Sequence, residues 1–483
     1  MRFSLSELML LAAGITVAAP LVGTVVLGMG LFRSSPRIPA VVSAVVSLVS
    51  SAVLTILWNI GPLVPVEIGD RMGGGSLVDI DGVTGLLLPY VALVHLAIVL
   101  VAPRRFFDIA SARRILIGSG MTLALFCTAH PLAIVGLWIL TAVPTWFSIR
   151  AMPGGRPVAR VYCIAMFPAV VCMTLGTCML VGDPPWEPGS GTIGNVGGWL
   201  VAMAVLVRKG IVPFHSWYPA LFSAAPMSTA LAATMPQVAA YTAMRLLVGH
   251  ADGVGWELIV LSQAALITAA YGAALATVQK DVKGLVGTLA MSQSAMVLAG
   301  LSGTVAMEFN GALCVWISSG VSLTGLGLVA WAIESRAGSL SIESLQGRFR
   351  DAPLLAAFFL LFGLAIIGVP GTLSFVADDL IVSGCLDDQL HAGLFVIAAT
   401  VLSGIAVLRG WFHVFGGPVA IDGPSHGILL RERVAMLGLL AVLLFFGLFP
   451  GRLVHSLEQA ANSLMNESAS SEDHLDFHVP AIP

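Results

Sequence analysis

Charge is what this sequence has least of. Asp, Glu, Lys and Arg make up 10% of 483 residues, and only three are lysines, Lys209, Lys280 and Lys283. Soluble domains carry about 25% charged residues, so an ordinary aqueous fold is excluded. A net charge of −3 gives no basic surface for nucleic acid. Cysteine is scarce as well. Cys127, Cys163, Cys172, Cys178, Cys314 and Cys385 stand in apolar stretches without metal-ligand spacing, and they read as buried thiols rather than disulfides or ligands. No GxGxxG precedes a helix, and there is no P-loop and no His/Cys cluster. The chain is therefore expected to hold no cofactor and no metal and to have no catalytic site of its own. Any electron-carrying group would sit in another subunit. The N-terminus lacks a cleavable signal pattern, and its first apolar run is long enough to span a membrane and is expected to stay.

What is abundant is apolar surface: 57% of residues are hydrophobic, and the mean hydropathy is +0.95. This composition predicts an all-α polytopic membrane protein. Cutting the apolar runs at polar, Pro and Gly punctuation places spans at 7–31, 38–62, 84–102, 115–130, 131–149, 161–182, 195–222, 226–248, 256–277, 284–302, 308–335, 353–385, 390–410 and 432–450, or about fourteen helices. Only His130 and Pro131 separate the fourth from the fifth. The loops alternate in charge. One side carries Arg33, Arg37, Arg104, Arg105, Arg113, Arg114, Arg150, Arg156, Arg160, Lys280, Lys283, Arg336, Arg348, Arg350, Arg431 and Arg433. The other carries Glu67, Asp70, Asp79, Asp81, Asp183, Glu187, Asp252, Asp387 and Asp388. Lys and Arg mark cytoplasmic loops, so both termini are expected outside the cytoplasm of a bacterial inner membrane. Gly73, Gly74 and Gly75 read as a flexible external turn. The tail from Gly451, with Glu458, Glu467, Glu472, Asp473 and Asp476, is expected to be disordered.

The stretch VLVRKGIVPFHSWYPALFSAAPMSTALAATMPQVAAYTAMRLL, 205–247, organises the rest. An apolar helix ends in Arg208 and Lys209, and Pro213 should break it. A second long span, 353–385, is interrupted at Pro370. Broken helices at corresponding places in two halves point to inverted repeats with an ion path between them. Lys209 is the only lysine in a membrane segment, and a lysine can release a proton where an arginine cannot. Arg208 and Lys209 read equally as snorkelling residues at a helix end. Asp378 and Asp379 follow the second break, and a carboxylate at membrane depth is a functional candidate, or else a cap on a half-helix. His215 is a candidate relay or a packing histidine. Gln237, Gln293, Ser319, Ser322 and Thr324 are polar groups on apolar helices, suited to bonding neighbours or to lining a wet path.

Three segments carry a resemblance. VPFHSWYPALFSAAPMSTALAATM, DVKGLVGTLAMSQSAMVLAGL and GVPGTLSFVADDL resemble motifs of the antiporter-like proton-channel subunits of respiratory complex I (the M, L and N types), of related membrane-bound hydrogenases and of Mrp-type antiporters. The last is similar to the GxPGTxxFxxE motif of the M type. The resemblance covers most of the chain, best from about Phe126 to Pro418. It implies fourteen helices with two inverted five-helix units. The chain then divides into helices 1–3 (1–114), a first repeat (115–250), a second repeat (251–415), a last helix (416–450) and the tail (451–483). The family's titratable residues are largely replaced. The fifth-helix glutamate falls on Ile139 in GLWILTAVPTWFSIR. The seventh-helix lysine falls on Arg208 by ungapped alignment to Pro213, and on Lys209 by chemistry. The eighth-helix lysine of the M type falls on Gln237, the L-type histidine on Leu231 and the eleventh-helix histidine on Ser319. The twelfth-helix acid is kept as Asp378.

The resemblance implies a proton-conducting membrane subunit of a bacterial energy-converting complex. Its partners would be other membrane and soluble subunits, the lipid bilayer, and protons or another monovalent cation; no nucleic acid is expected. Half-channels would meet near Lys209, Gln237 and Asp378. Two alternatives stand beside this. One is the membrane subunit of a two-part inorganic-carbon uptake complex, in which an arginine closes the fifth helix as Arg150 does here. The other is a scaffold that no longer conducts.

Overall fold

The structure is a computed structural model that describes residues 4–30, 32, 34–60, 66–68, 76–182, 192–248, 255–303, 306–418 and 427–459; for 66–68, 192–194, 306 and 387–388 it describes the backbone alone. Arg33, Asp70, Gly73, Gly74, Gly75, Asp183, Glu187, Asp252 and the tail beyond Gln459 lie outside the described residues, as do the side chains of Glu67, Asp387 and Asp388.

Among the described residues the chain is a run of helices: α1 (Leu5–Gly28), α2 (Arg37–Ile60), α3 (Gly82–Val101), α4 (Ile109–Leu125), α5 (Pro131–Arg150), α6 (Arg156–Gly182), α7 (Thr192–Lys209), α8 (Trp217–Ala224), α9 (Met227–Thr234), α10 (Val238–Leu246), α11 (Trp256–Thr277), α12 (Val282–Leu301), α13 (Ala306–Ala337), α14 (Pro353–Ile366), α15 (Leu373–Asp388), α16 (Leu390–Phe415), α17 (Leu430–Leu448) and α18 (Gly451–Gln459). A two-stranded antiparallel ribbon, β1 (Val66–Ile68) and β2 (Val78–Ile80), precedes α3. Nine of the described helices are each long and apolar enough to cross a bilayer, and the chain is a multi-pass membrane protein.

The helix starts follow local chemistry. Ser4 and Glu7 form a capping box at α1, and Asp81, Asp108 and Asp281 cap α3, α4 and α12, each cap contributing about 1 kcal/mol. His130 caps α5 through Nδ1, which separates the fourth and fifth spans. Helices α12 and α13 are buried on all sides and form the centre. Helices α1, α2 and α6 turn residues such as Val22, Val25, Val49, Ile164 and Phe167 outward, as lipid contact requires. Small residues set the closest crossings. Gly176 of α6 and Gly197 of α7 lie backbone to backbone, and a Cβ on Gly176 would stand 2.8 Å from the Gly197 carbonyl.

The order of packing repeats. Helix α4 packs on α5, α5 on α6 and α6 on the broken α7–α8; in the second set α11 packs on α12, α12 on α13 and α13 on the broken α14–α15. The two breaks share one turn. The Gly210 N–H bonds the Val207 carbonyl and the Ile211 N–H bonds Leu206; the Gly368 N–H bonds Ala365 and the Val369 N–H bonds Leu364. Each glycine is left-handed, at φ +69° and +68°, as this helix-ending motif requires. Pro213 and Pro370 lie just beyond the glycines, so each helix ends before its proline.

Three sequence expectations change. The eighth span, read as continuous over 226–248, breaks at Met235–Gln237 between α9 and α10, because Pro236 interrupts it and Gln237 is left-handed at φ 56°. The tail expected to be disordered from Gly451 begins as α18, bent 83° from α17. Cys127, Cys314 and Cys385 are buried, but Cys163 and Cys178 are exposed and Cys172 is intermediate, because all three sit on the outer flank of α6.

The basic loops meet on one face. Arg37 and Arg431 both donate to the Ala102 carbonyl, Arg336 pairs with Glu432, and Arg409 donates to the Thr277 and Gln279 carbonyls. On the opposite face Ser456 of α18 meets Asn59 at the end of α2.

Candidate functional site

The last residues of α7 diverge. Arg208 turns to α5: it donates to the Trp138 carbonyl at 2.5 Å and to Thr141 Oγ1 at 2.6 Å, and its guanidinium lies 4.2 Å from the Trp138 ring centre. Ile139, next to Trp138 on α5, is partly buried beside this contact. Lys209 turns the other way. It is buried, and its Nζ donates to Gln237 Oε1.

Gln237 meets Lys209 from the α9–α10 break, where it takes the left-handed conformation. Two side chains satisfy the freed carbonyls there: Tyr90 OH donates to Met235 at 2.6 Å, and Trp316 Nε1 donates to Pro236 at 3.2 Å. Breaks at membrane depth persist only where such partners exist. The α7–α8 break is supported likewise, with Trp217 Nε1 donating to the Val207 carbonyl at 2.8 Å and the Val212 N–H donating to Thr268 Oγ1 at 3.0 Å.

Lys209, Gln237 and Arg208 line a cavity with about 50 Å³ of room for water centres. A single water needs roughly 10–15 Å³ by that measure, so a short file of waters fits. The lining includes the hydroxyls of Thr122, Thr141, Thr145, Ser148, Thr229, Thr234 and Ser294. The lining also includes Arg114, whose Nε donates to Ser148 at 3.0 Å. Arg114 lies in the second turn of α4 and Ser148 in the last turn of α5, so the cavity runs from mid-membrane toward the arginine-rich face.

The second break places Asp378 beside Gly368. A Cβ on Gly368 would overlap Asp378 Oδ2, and that oxygen is buried with no hydrogen-bond partner among the described residues. Asp379 points outward and is exposed. Ser319 is buried on α13, one turn from Trp316, with its hydroxyl unpartnered among the described residues. Helix α13 packs against both α9 and α15, so it lies between the two breaks. Its Ser318, Ser322 and Thr324, and Gln293 on α12, are buried too. His215 is not brought to the cavity. It sits on the outer flank against Tyr271 of α11, Nε2 to OH 3.4 Å. The structure thus gathers Lys209 and Gln237, places Arg208 in the lining of the same cavity but anchored on α5, and leaves Asp379 and His215 outside.

A cluster beyond these was not read from the sequence. Arg245 of α10 is buried and pairs with Asp81 at 2.7 Å and Asp79 at 3.3 Å, and its Nε meets Tyr241 OH at 3.1 Å. Tyr241 OH also donates to the Phe126 and Thr128 carbonyls, at 3.2 and 3.1 Å. The signal was an arginine at the acid-rich end of a span, against the charge pattern of the loops. Among the described residues no group of three His, Cys, Asp or Glu is placed to hold a metal.

Comparison with known proteins agrees with this architecture. Residues 190–405 match the family described as NADH:quinone oxidoreductase/Mrp antiporter, TM. NADH-quinone oxidoreductase subunit M of Mycobacterium tuberculosis is 27% identical over 294 residues, 59% of this chain and 52% of that protein; the match spans about half of that relative's length. F(420)H(2) dehydrogenase subunit M of Methanosarcina mazei is 23% identical over 434 residues, 82% of this chain and 86% of its own. A chain of respiratory complex I from Thermus thermophilus superposes with a TM-score of 0.84 at 22% identity, covering 94% of this chain and 99% of that one, which establishes the fold. The segment 190–405, with both broken spans and the central helices α12 and α13, is thus similar to the NADH:quinone oxidoreductase/Mrp antiporter family, and the whole chain shares the fold of the complex I chain.

Proposed function

We propose that the chain conducts protons as an antiporter-like subunit of a larger bacterial energy-converting complex related to NADH-quinone oxidoreductase. The observation that carries this reading is the hydroxyl-lined cavity that Lys209 and Gln237 share. A proton entering from the arginine-rich face reaches Lys209 along a file of waters. The amine takes it up and gives it on, which the neighbouring arginine cannot do. Gln237 positions the amine. The onward route follows the buried hydroxyls of α12 and α13, Ser294 and Ser319 among them, to Asp378 at the second break. Arg208, anchored on α5 beside Ile139, is a fixed charge rather than a carrier.

The orientation belongs to the same reading. The arginine-rich face is cytoplasmic and both termini lie outside, as the distribution of Lys and Arg in short loops supports. The partners are the other subunits of the complex, as for the M-type relatives, which are named as subunits.

The test is proton uptake by liposomes carrying the purified complex, followed with a pH-sensitive dye. Wild type dissipates an imposed pH gradient, and Lys209→Gln slows this at least ~10-fold, the size expected for loss of a proton-transfer group. No flux from wild type would make the chain a scaffold. Equal flux from Lys209→Gln would take the lysine out of the path.

A further inference from the structure

A second cavity, about 440 Å³, opens on the outer flank between the end of α5 and the start of α6, lined by Trp146, Arg150, Arg156, Ala159, Arg160 and Cys163. Three guanidinium groups share it, and all three arginines are exposed. Among the described residues none of them pairs with a carboxylate; the one contact is Arg150 over the Trp146 ring at 5.0 Å. This sets them apart from Arg336, Lys280 and Lys283 on the same face, each bonded to a glutamate. Arg156 also begins α6 and Arg160 lies in its second turn, where the helix dipole disfavours cations and favours an anion.

The surroundings say what kind of anion. Trp146 is an aromatic of the sort that anchors at the headgroup level. Phe147 beside it, and Ile164 and Phe167 one to two turns beyond Arg160, are 52%, 66% and 69% exposed and offer an apolar surface to hydrocarbon chains. Basic pockets between transmembrane helices bind anionic headgroups, and arginine forks suit phosphate oxygens.

We infer that this groove is a binding site for an anionic phospholipid, its headgroup phosphate held by Arg150, Arg156 and Arg160 and its chains lying over Phe147, Ile164 and Phe167. The site is distinct from the inner cavity, which opens on the far side of α5 toward Thr145, Ser148 and Tyr162.

The test uses the full chain, purified in detergent and stripped of lipid. Phosphatidylglycerol added as mixed micelles should raise its melting temperature, and phosphatidylcholine should not. Native mass spectrometry should find phosphatidylglycerol retained by wild type and reduced roughly tenfold, the loss of several charge-assisted contacts, in the Arg150→Gln, Arg156→Gln, Arg160→Gln triple variant. A control removes the same charge elsewhere on that face, through Arg104→Gln, Arg105→Gln and Arg433→Gln, and should keep the lipid. All six arginines are exposed, so folding is preserved. Retention by the first triple variant, or equal loss in the control, would overturn the site. Equal stabilisation by inorganic phosphate alone would make the occupant a free oxyanion and overturn the lipid assignment.

Discussion

Lys209 donates to Gln237 across two broken spans, and Gln237 is the one described residue other than glycine with a positive φ, at 56°. The acceptor for the buried lysine is therefore held in a conformation that costs a side-chain-bearing residue about 1–2 kcal/mol. Strain of this kind persists where the surroundings over-determine the backbone. Here they do so through Tyr90, Trp316 and the lysine itself.

That pairing separates two substitutions. Gln237→Ala loses the hydrogen bond and keeps the strain, whereas Gln237→Gly loses the bond and releases the strain. Both should slow proton flux. In thermal unfolding, Gln237→Gly should be more stable than Gln237→Ala by about 1 kcal/mol. Equal melting would mean that Gln237 is not left-handed in the folded protein.

The divergence of Arg208 and Lys209 predicts a second contrast. Lys209→Arg keeps the charge but cannot release a proton, so flux should fall sharply while the protein still assembles. Arg208→Lys should leave flux nearly unchanged. It should lower stability by about 1–2 kcal/mol, because one ammonium cannot replace the fork to Trp138 and Thr141 and the stacking on the indole. Flux loss in Arg208→Lys with none in Lys209→Arg would reverse the assignment.

The breaks were legible because proline announces them, but the turning residues are glycines that precede the prolines. Gly210 and Gly368 carry the left-handed turn, and the prolines only prevent resumption. Pro236 was equally visible, yet the apolar run around it is unbroken, so periodicity outweighed a single proline. Asp378 and Asp379 are indistinguishable by sequence. Only their places on α15 decide that one faces Gly368 and the other faces outward. The partners of Arg245 were beyond reach, because Asp79 and Asp81 stand in a distant loop and only the fold brings that loop over α10.

The glycine at the second break and its neighbouring acid are tested together. Gly368→Ala forces a left-handed alanine and drives its Cβ into Asp378 Oδ2, so it should both destabilise by about 1–2 kcal/mol and slow flux. Asp378→Asn should abolish flux while the protein still assembles, and Asp379→Asn should leave flux intact. Gly438→Ala is the control, since nothing lies within 4 Å of its Cβ position. Full flux in Asp378→Asn would assign Asp378 a structural role.

The last prediction concerns Arg245. Its guanidinium is buried with two carboxylates, Asp79 and Asp81, and with Tyr241 OH. Removing one partner of a buried ion pair leaves the other charged and unpaired, at a cost of about 3–5 kcal/mol. Arg245→Ala leaves two carboxylates close together without their shared cation, so the loss should lie at the upper end of that range. Arg245→Gln, Asp79→Asn and Asp81→Asn combined keep hydrogen-bonding capacity without charge, and should recover most of it. The effect should reach the site. Helix α10 is nine residues long, with Arg245 near one end and Gln237 at the other. Loosening the ion cluster frees the end of the half-helix that carries the acceptor for Lys209. Proton flux should therefore fall in Arg245→Ala and return in the triple variant, measured together with melting. A stability loss with unchanged flux would confine the cluster to holding β2 and α3 against α10. Unchanged stability in Arg245→Ala would mean that the three charges do not meet in the folded protein.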